Sequence, residues 1–207
     1  MNPEPLDPDH QMALALEEAR HRRDEGNIPG AAARYHRART LAEQVESPEA
    51  LATILAEAGH MYQQEFDVVT ARRYYEEAIQ AFHRAGSVHE EALTRFKLGQ
   101  VEQLAGDLEA AERQLRTALA GLVRLQERRG EGLTRATLGQ LLWDQDRPEE
   151  GVPELVRGLT LLRDAGAAEA EHVRDHIRYW SHRLGRVRYL ELIRAATADP
   201  ELRALLE

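Results

Sequence analysis

The chain has 207 residues, of which 43% are hydrophobic and 30% are charged, with no cysteine and a formal net charge of −9. This apolar fraction is too high for a disordered chain, and no unbroken apolar run approaches the ~18 residues that a transmembrane helix needs. The absence of cysteine excludes disulfides, thiolate zinc sites and cysteine nucleophiles. The acidic balance argues against non-specific binding to nucleic acid.

The first eight residues, MNPEPLDP, are acidic and rich in proline. No positively charged segment leads into an apolar one, so the sequence predicts no secretory signal peptide. Residues 1–8 are therefore interpreted as an N-terminal extension. The expected location is cytoplasmic, without contact to a membrane.

The chain is similar to itself at a shift of 40 residues. Between residues 89–100 and 129–140, seven of the twelve aligned positions are identical. The aligned columns of small residues are Ala19, Gly59, Gly99 and Gly139, then Ala31, Ala71, Ala111 and Gly151, then Ala38, Ala78, Ala118 and Gly158. A column of large residues contains Tyr35, Tyr75, Leu115 and Leu155. Self-similarity at this period is typical of a repeat architecture, and the length suits about five units.

Each unit is predicted to fold as two helices. In the first and third units, Gly26 and Gly106 can end a helix, and the following Asn27 and Asp107 can cap the next one. Pro148 lies where the first turn of a helix tolerates proline, as does Pro29. Apolar residues follow at steps of three and four, as in Leu51, Leu55, Ala58 and Tyr62, and in Leu108, Ala111, Leu115, Ala118 and Leu122.

Four helix pairs are predicted in chain order, at about residues 9–47, 48–87, 88–127 and 128–167. Residues 168–207 keep a helical periodicity but lack the repeat columns. The last repeat of an array has no successor to cover its apolar face, so its sequence must be atypical. Residues 168–207 are therefore interpreted as a divergent fifth pair and a C-terminal capping helix, the latter beginning near Pro200.

These columns resemble the tetratricopeptide repeat, with Gly or Ala along the first helix, an aromatic residue three positions later (Tyr62), and Ala, Tyr or Leu, and Ala along the second. The 40-residue spacing is similar to the long-helix subgroup found in kinesin light chains, Pins-type adaptors and bacterial regulatory proteins. The resemblance implies an all-α fold, a right-handed superhelix of about five helix pairs. Glu102 and Leu142 depart from the pattern, because they stand where the aromatic residue is expected.

Catalytic chemistry has little support in the sequence. His172 and His176 lie four residues apart on one predicted helix face, as two metal ligands would. The intervening Arg174 and the following Arg178 would repel a cation, so no metal is predicted. Phosphate-binding loops, nucleophile elbows and kinase-like motifs are absent. The chain is therefore expected to be neither an enzyme nor a cofactor-binding protein.

A binding surface is the remaining candidate. The resemblance implies that the first helix of each pair lines the concave face, and that residues next to the Gly or Ala column contact a ligand. The implied peptide- or protein-binding residues are Arg20, Arg23, His60, Gln63, Phe96, Gln100, Gln103, Gln140, Trp143, His176, Trp180 and Arg183. Glutamines can bind an unpaired peptide backbone, arginines can bind carboxylates, and tryptophans can bury apolar area. As alternatives, the two tryptophans pack the junction with the fifth pair, and the glutamines are solvated surface.

The partner is expected to be another protein or a peptide, bound by a non-enzymatic scaffold or adaptor. A chaperone-tail clamp is argued against, because Lys97 is the only lysine and no asparagine follows residue 27. Two alternatives stay open: a bacterial regulator that senses a peptide, and a homo-oligomer that associates through its C-terminal segment, in the simplest case a homodimer. That segment carries six arginines between residues 172 and 194, namely Arg174, Arg178, Arg183, Arg186, Arg188 and Arg194. No recognition motif accompanies them, so no nucleic-acid partner is predicted.

Overall fold

The computed structural model describes residues 7–206, apart from the side chain of Ser181. The predicted N-terminal extension lies largely outside this range. Within the described part, the chain forms eleven helices and no strand, and no helix there is long and apolar enough to cross a membrane. The helices are α1 Pro8–Asp24, α2 Ile28–Gln44, α3 Pro48–Gln64, α4 Val68–Ala85, α5 Val88–Leu104, α6 Leu108–Arg124, α7 Arg128–Asp144, α8 Pro148–Asp164, α9 Glu169–Leu184, α10 Arg186–Ala196 and α11 Pro200–Leu206. The predicted all-α fold is confirmed.

Side-chain caps explain where many of these helices begin. Asn27 accepts a hydrogen bond from the backbone N–H of Gly30 at 3.0 Å, and Asp107 accepts one from Ala110 at 3.0 Å. Each bond satisfies a backbone donor that has no partner inside its helix. Pro29 also lies in the first turn of its helix. The predicted caps are therefore confirmed, and they follow from local sequence alone.

The structure divides into two compact units, of which unit 1 ends at Ala105 and unit 2 begins at Gly106. In unit 1, α1 packs on α2, α3 packs on α4, and α4 also packs on α5. Tyr35 and Tyr75 are almost wholly buried in its core. The alanines of the predicted small columns, Ala19, Ala31, Ala38, Ala71 and Ala78, have at most 1% of their surface exposed. Small side chains at these positions let the helices approach closely.

In unit 2, α7 and α8 approach each other through glycines. A Cβ atom on Gly139 would lie 2.7 Å from the carbonyl oxygen of Gly151 and 2.9 Å from the backbone nitrogen of Leu155. Gly158 faces the backbone of Gly132 in the same way, at 2.7 Å. The glycines that replace alanines in the fourth pair therefore bring these two helices closer than a methyl group would allow.

We expect Gly139→Ala to lower the free energy of unfolding by about 1–3 kcal/mol, because rigid backbone surrounds the added methyl group. This range is the net loss, after the higher helix propensity of alanine has offset about 1 kcal/mol of the steric cost. Urea unfolding followed by tryptophan fluorescence measures the change, since both tryptophans lie in unit 2. Gly132→Ala is the matched control with a smaller expected loss, because the nearest backbone atom there, the carbonyl oxygen of Gly158, would lie 3.2 Å from the added Cβ and not 2.7 Å. A Gly139→Ala chain as stable as the parent would contradict this account of the α7–α8 contact.

Helices α9, α10 and α11 extend the core of unit 2. Ile177, Tyr189, Ile193 and Leu202 are buried in one apolar cluster with residues of α8. The Tyr189 hydroxyl donates a hydrogen bond to the carbonyl oxygen of Leu206 at 2.8 Å. These contacts hold the C-terminal helices against α8, and α11 begins at Pro200 as the sequence predicts.

Candidate functional site

The predicted binding residues lie on the first helix of successive helix pairs. In unit 1 they are Arg20 and Arg23 on α1, His60 and Gln63 on α3, and Phe96, Gln100 and Gln103 on α5. All of them except the exposed Arg20 are half-buried. We call the surface formed by these seven residues, together with Glu57 and Lys97, the first-helix face of unit 1.

Glu57 on α3 is the centre of hydrogen bonding on this face. The Arg20 guanidinium donates two hydrogen bonds to the Glu57 carboxylate, from Nε to Oε2 at 2.9 Å and from Nη2 to Oε1 at 2.5 Å. The Tyr35 hydroxyl donates to the same carboxylate at 3.4 Å and accepts from Arg23 at 3.4 Å. Burial, followed by the nearby Glu57 charge, raises the pKa of Tyr35 to about 12. The bidentate interaction of Arg20 is therefore made with Glu57 of the same chain, and it joins α1 to α3.

His60 and Gln63 lie on the same helix as Glu57. The Tyr75 hydroxyl donates a hydrogen bond to Gln63 Oε1 at 2.8 Å, which fixes the orientation of that amide. Within the described residues, the buried Nδ1 atom of His60 has no hydrogen-bond partner. Burial lowers the pKa of His60, and the positive charge of Lys97 lowers it further. His60 is therefore neutral at neutral pH.

Lys97 on α5 is a charged residue of this face that the sequence analysis did not assign to a site. Its side chain is half-buried, and burial lowers its pKa, an effect that the negative charge of Glu57 partly opposes. The repeat columns of the sequence do indicate that Lys97 is exceptional. Two positions before the Gly or Ala column, the repeats carry Glu17, Glu57 and Lys97, so the charge reverses in the third repeat.

In unit 2 the predicted residues are Gln140 and Trp143 on α7, and His176, Trp180 and Arg183 on α9. The two indole rings stack with their centroids 4.1 Å apart and an interplanar angle of 7°. Trp180 has only 4% of its surface exposed, so it packs the junction between α7 and α9. Trp143 is half-buried, whereas His176 and Arg183 are exposed.

A cavity of about 460 Å³ lies beside the tryptophan pair. Its lining residues are Trp143, Asp144, Asp146, Pro148, Arg183, Leu184 and Arg188. The apolar part can accept an aliphatic or aromatic side chain, and the charged part can orient a polar group next to it. In residues 7–206 no group of three or more histidine, aspartate or glutamate side chains could hold a metal ion.

Comparison with known protein families identifies the repeat. Residues 50–124 match the family model of the tetratricopeptide repeat. Residues 50–124 therefore contain tetratricopeptide repeats. The resemblance predicted from the 40-residue columns is confirmed. A search of curated protein sequences finds no match.

Solved structures show the same fold along nearly the whole chain. BtubC (BKLC) from P. vanneervenii has a TM-score of 0.74 at 19% identity, covering 97% of this chain and 92% of the other. RapI in its apo form has a TM-score of 0.81 at 12% identity, covering 97% of this chain and 58% of RapI. Nearly identical TPR-like repeats from Podosopora anserina, described as a kinesin light chain, have a TM-score of 0.71 at 13% identity, with 98% and 97% covered. At these identities the likeness is one of fold.

Proposed function

We propose that this chain is a non-enzymatic scaffold or adaptor that binds a peptide or a helical segment of another protein on the first-helix face of unit 1. The family and the fold support a role in protein–protein interaction. The observation that carries the proposal is the row of half-buried polar side chains on α3 and α5, which includes His60, Lys97 and Gln100. Polar groups in a partly desolvated face favour a ligand that brings hydrogen-bonding partners.

Gln100 is the residue best suited to contact a peptide backbone. Within the described residues its amide makes no hydrogen bond, although the side chain is half-buried. A primary amide offers both donors and acceptors, as the unpaired backbone of an extended peptide does. In unit 2, Gln140 occupies the same column and is also half-buried without such a bond. Each of the two units therefore offers one amide for backbone recognition.

The cavity beside Trp143 supports an apolar anchor point in unit 2. Trp143 lines it together with Leu184, and the exposed Arg183 lies at the same cavity. An aromatic side chain with one accessible surface next to an arginine is the composition found at energetically dominant positions of protein interfaces. A bulky apolar side chain of the partner fits this place.

We expect the double variant Gln100→Ala/Gln140→Ala to weaken capture of the natural partner about tenfold or more. Each lost hydrogen bond contributes about 1 kcal/mol, and the two sites are separate. The measurement is affinity capture from lysate of the source organism, with quantification of the bound proteins by mass spectrometry. Circular dichroism of the purified variant should show unchanged helicity.

Gln44→Ala/Gln80→Ala is the matched control for this experiment. Both glutamines are exposed on second helices, α2 and α4, so their loss should leave capture unchanged. Equal capture by the parent and by Gln100→Ala/Gln140→Ala would remove both the first-helix face of unit 1 and Gln140 of unit 2 from the proposal. Equal loss in both double variants would show that the assay does not report on that face.

Fold likeness to RapI favours a second candidate, a regulator that senses a short peptide. It would use the same face but change conformation when the peptide binds. Small-angle X-ray scattering with and without a captured peptide distinguishes the two candidates, because a scaffold keeps its radius of gyration and a sensor does not. A self-associating chain, the third candidate, would show a concentration-dependent mass without any partner.

A further inference from the structure

The turn between α3 and α4 presents an aromatic side chain to solvent. Phe66 has 77% of its surface exposed, and Val69, three positions later in the first turn of α4, has 79% exposed. The aligned residues of the other repeats are glycine, proline or acidic, namely Gly26, Gly106 and Asp146 for Phe66, and Pro29, Glu109 and Glu149 for Val69. Two large apolar residues therefore break the repeat pattern at one exposed turn of unit 1.

The backbone of Phe66 is also unusual for an aromatic residue. Its φ is +58°, in the left-handed region, where a Cβ atom is unfavourable and glycine is the common choice. Gly26 and Gly106, in the same column, have φ values of +74° and +79°. The chain thus keeps an exposed aromatic ring where glycine would suit the backbone better. Because the fold gains little from this ring, a contact outside the chain is the better explanation for it.

The cavity of about 460 Å³ in unit 2 has the composition to receive such a ring. Trp143, Pro148 and Leu184 form the apolar part of its lining. Val187 precedes the lining residue Arg188 in α10 and has 73% of its surface exposed, so it adds apolar surface beside the cavity. An aromatic ring in this cavity would lie against an indole ring and remove apolar surface of both from water.

Charges next to the two surfaces are complementary along one wall of the cavity. Glu65 and Asp67 flank the exposed ring, and within the described residues Glu65 pairs with no cation. Arg183 lines the cavity from α9, and it is likewise exposed and without an ion pair in that part of the chain. The opposite wall carries Asp144 and Asp146 and would repel an acidic turn. An inserted turn must therefore direct its carboxylates toward α9.

We propose that Phe66 of one copy inserts into the cavity beside Trp143 of a second copy, with Glu65 of the first copy paired with Arg183 of the second. The inference rests on the apolar anchor point proposed above for this cavity, and it names a second copy of the chain as what fills it. Each copy inserts with unit 1 and receives with unit 2, so the contact is heterologous. One inserted turn buries far less than the ~1,600 Å² of a stable interface, so we expect a weak contact with a Kd of about 100 μM.

Sedimentation velocity of the full chain, from about 10 μM to about 1 mM, tests the association itself. The mass of the parent should rise with concentration, whereas Phe66→Gly should stay monomeric and folded, because glycine suits the backbone there. Leu14→Gln is the matched control, since it removes another exposed apolar side chain of unit 1 and should associate as the parent does. A monomeric parent, or association that Phe66→Gly leaves intact, would overturn the inference.

Trp143 reports whether the ring enters the cavity. A Phe66→Gly chain labelled with fluorotryptophan keeps the cavity but lacks the inserted ring, and its two tryptophans give two ¹⁹F signals. The same chain with Trp143→Phe assigns them. Unlabelled parent should shift the Trp143 signal, while unlabelled Phe66→Gly at the same concentration should leave it in place. If the parent leaves the signal in place as well, the ring does not enter this cavity and the proposal is wrong.

A charge swap tests the predicted orientation. Glu65→Arg in the unlabelled chain should reduce the ¹⁹F shift at least threefold, because it brings an arginine to Arg183. Introducing Arg183→Glu into the labelled chain should then recover at least half of the shift with this donor. A shift that stays low in the swapped pair would contradict the pairing of Glu65 with Arg183.

Self-association and capture of the natural partner can fail separately, because the first is measured with the purified chain alone. If the parent is monomeric but Gln100→Ala/Gln140→Ala loses natural-partner capture, the proposed function stands and the second-copy contact is wrong. If the parent associates through Phe66 and that double variant captures the partner as the parent does, the second-copy contact stands and the proposed first-helix face is wrong.

Discussion

Replacement of Arg72 by leucine should lower the free energy of unfolding by about 3 kcal/mol, because it leaves a buried carboxylate without its partner. Glu102 on α5 has a side chain only 6% exposed, and its ion pair with Arg72 of α4 is the contact that compensates its charge. The side chain of Arg72 is 37% exposed, and its Nε atom is buried without a hydrogen-bond partner among the described residues, so removal of the arginine relieves only a small part of the burial cost of the pair. Thermal and urea unfolding, followed by circular dichroism, measure the loss.

The double variant Arg72→Leu/Glu102→Leu is the decisive control. A buried ion pair replaced by apolar residues of similar size is often neutral or stabilising, so this chain should unfold within about 1 kcal/mol of the parent. The fourth repeat supports this expectation, because Leu142 occupies the column of Glu102 and is buried. A double variant as unstable as Arg72→Leu would show that the loss comes from packing of the arginine stem and not from the uncompensated charge.

Replacement of Trp180 by alanine should cost about 3–5 kcal/mol, the range for deleting a large buried aromatic side chain. Trp180 is buried in the core of unit 2 among residues of α8, α9 and α10, and it also stacks on Trp143. The measurement is urea unfolding followed by circular dichroism at 222 nm, because the substitution itself alters tryptophan fluorescence. The near-ultraviolet signal of the stacked pair should disappear at the same time.

Trp143→Ala is the matched comparison for this prediction. Trp143 contributes the other ring of the stack, but it is half-buried, so its loss should cost clearly less stability. It is also the ring that lines the cavity, and its loss should weaken partner capture. If Trp180→Ala left stability unchanged and abolished capture, Trp180 would be a ligand contact, and its burial would not contribute to the free energy of unfolding.

Comparison of the two tryptophans shows where sequence reasoning reaches its limit. The 40-residue register placed Trp143 and Trp180 in neighbouring columns of one face, and it left open whether they contact a ligand or pack the junction. The structure places Trp180 in the junction and leaves part of Trp143 accessible. Column position alone could not separate them, because the exposed fraction of a side chain depends on the neighbouring helices α8 and α10.

Glu102 gives the same lesson for a charged residue. In the sequence, Glu102 stands where the repeat pattern expects an aromatic residue, and this indicated only that the third repeat is irregular. The structure shows that it is buried and paired with a residue 30 positions earlier in the chain. The partner, Arg72, belongs to a different helix, and no periodicity within α5 identifies it. A charge in a predicted core column is nevertheless a usable signal, since it implies that a partner of opposite charge lies nearby.

The amino-acid sequence by itself determined the repeat period, the caps at Asn27 and Asp107, and the columns of small residues. These features are local, because a cap, a helix-ending glycine or an apolar step of three to four residues acts within a few positions of the chain. Only the tertiary structure decided which polar groups of the first-helix face are already paired and which remain available. Arg20 and Glu57 bind each other across 37 positions, while Lys97 is left without a counter-ion. Such pairings depend on the distance between side chains of different helices, and that distance exists only after the helices have packed.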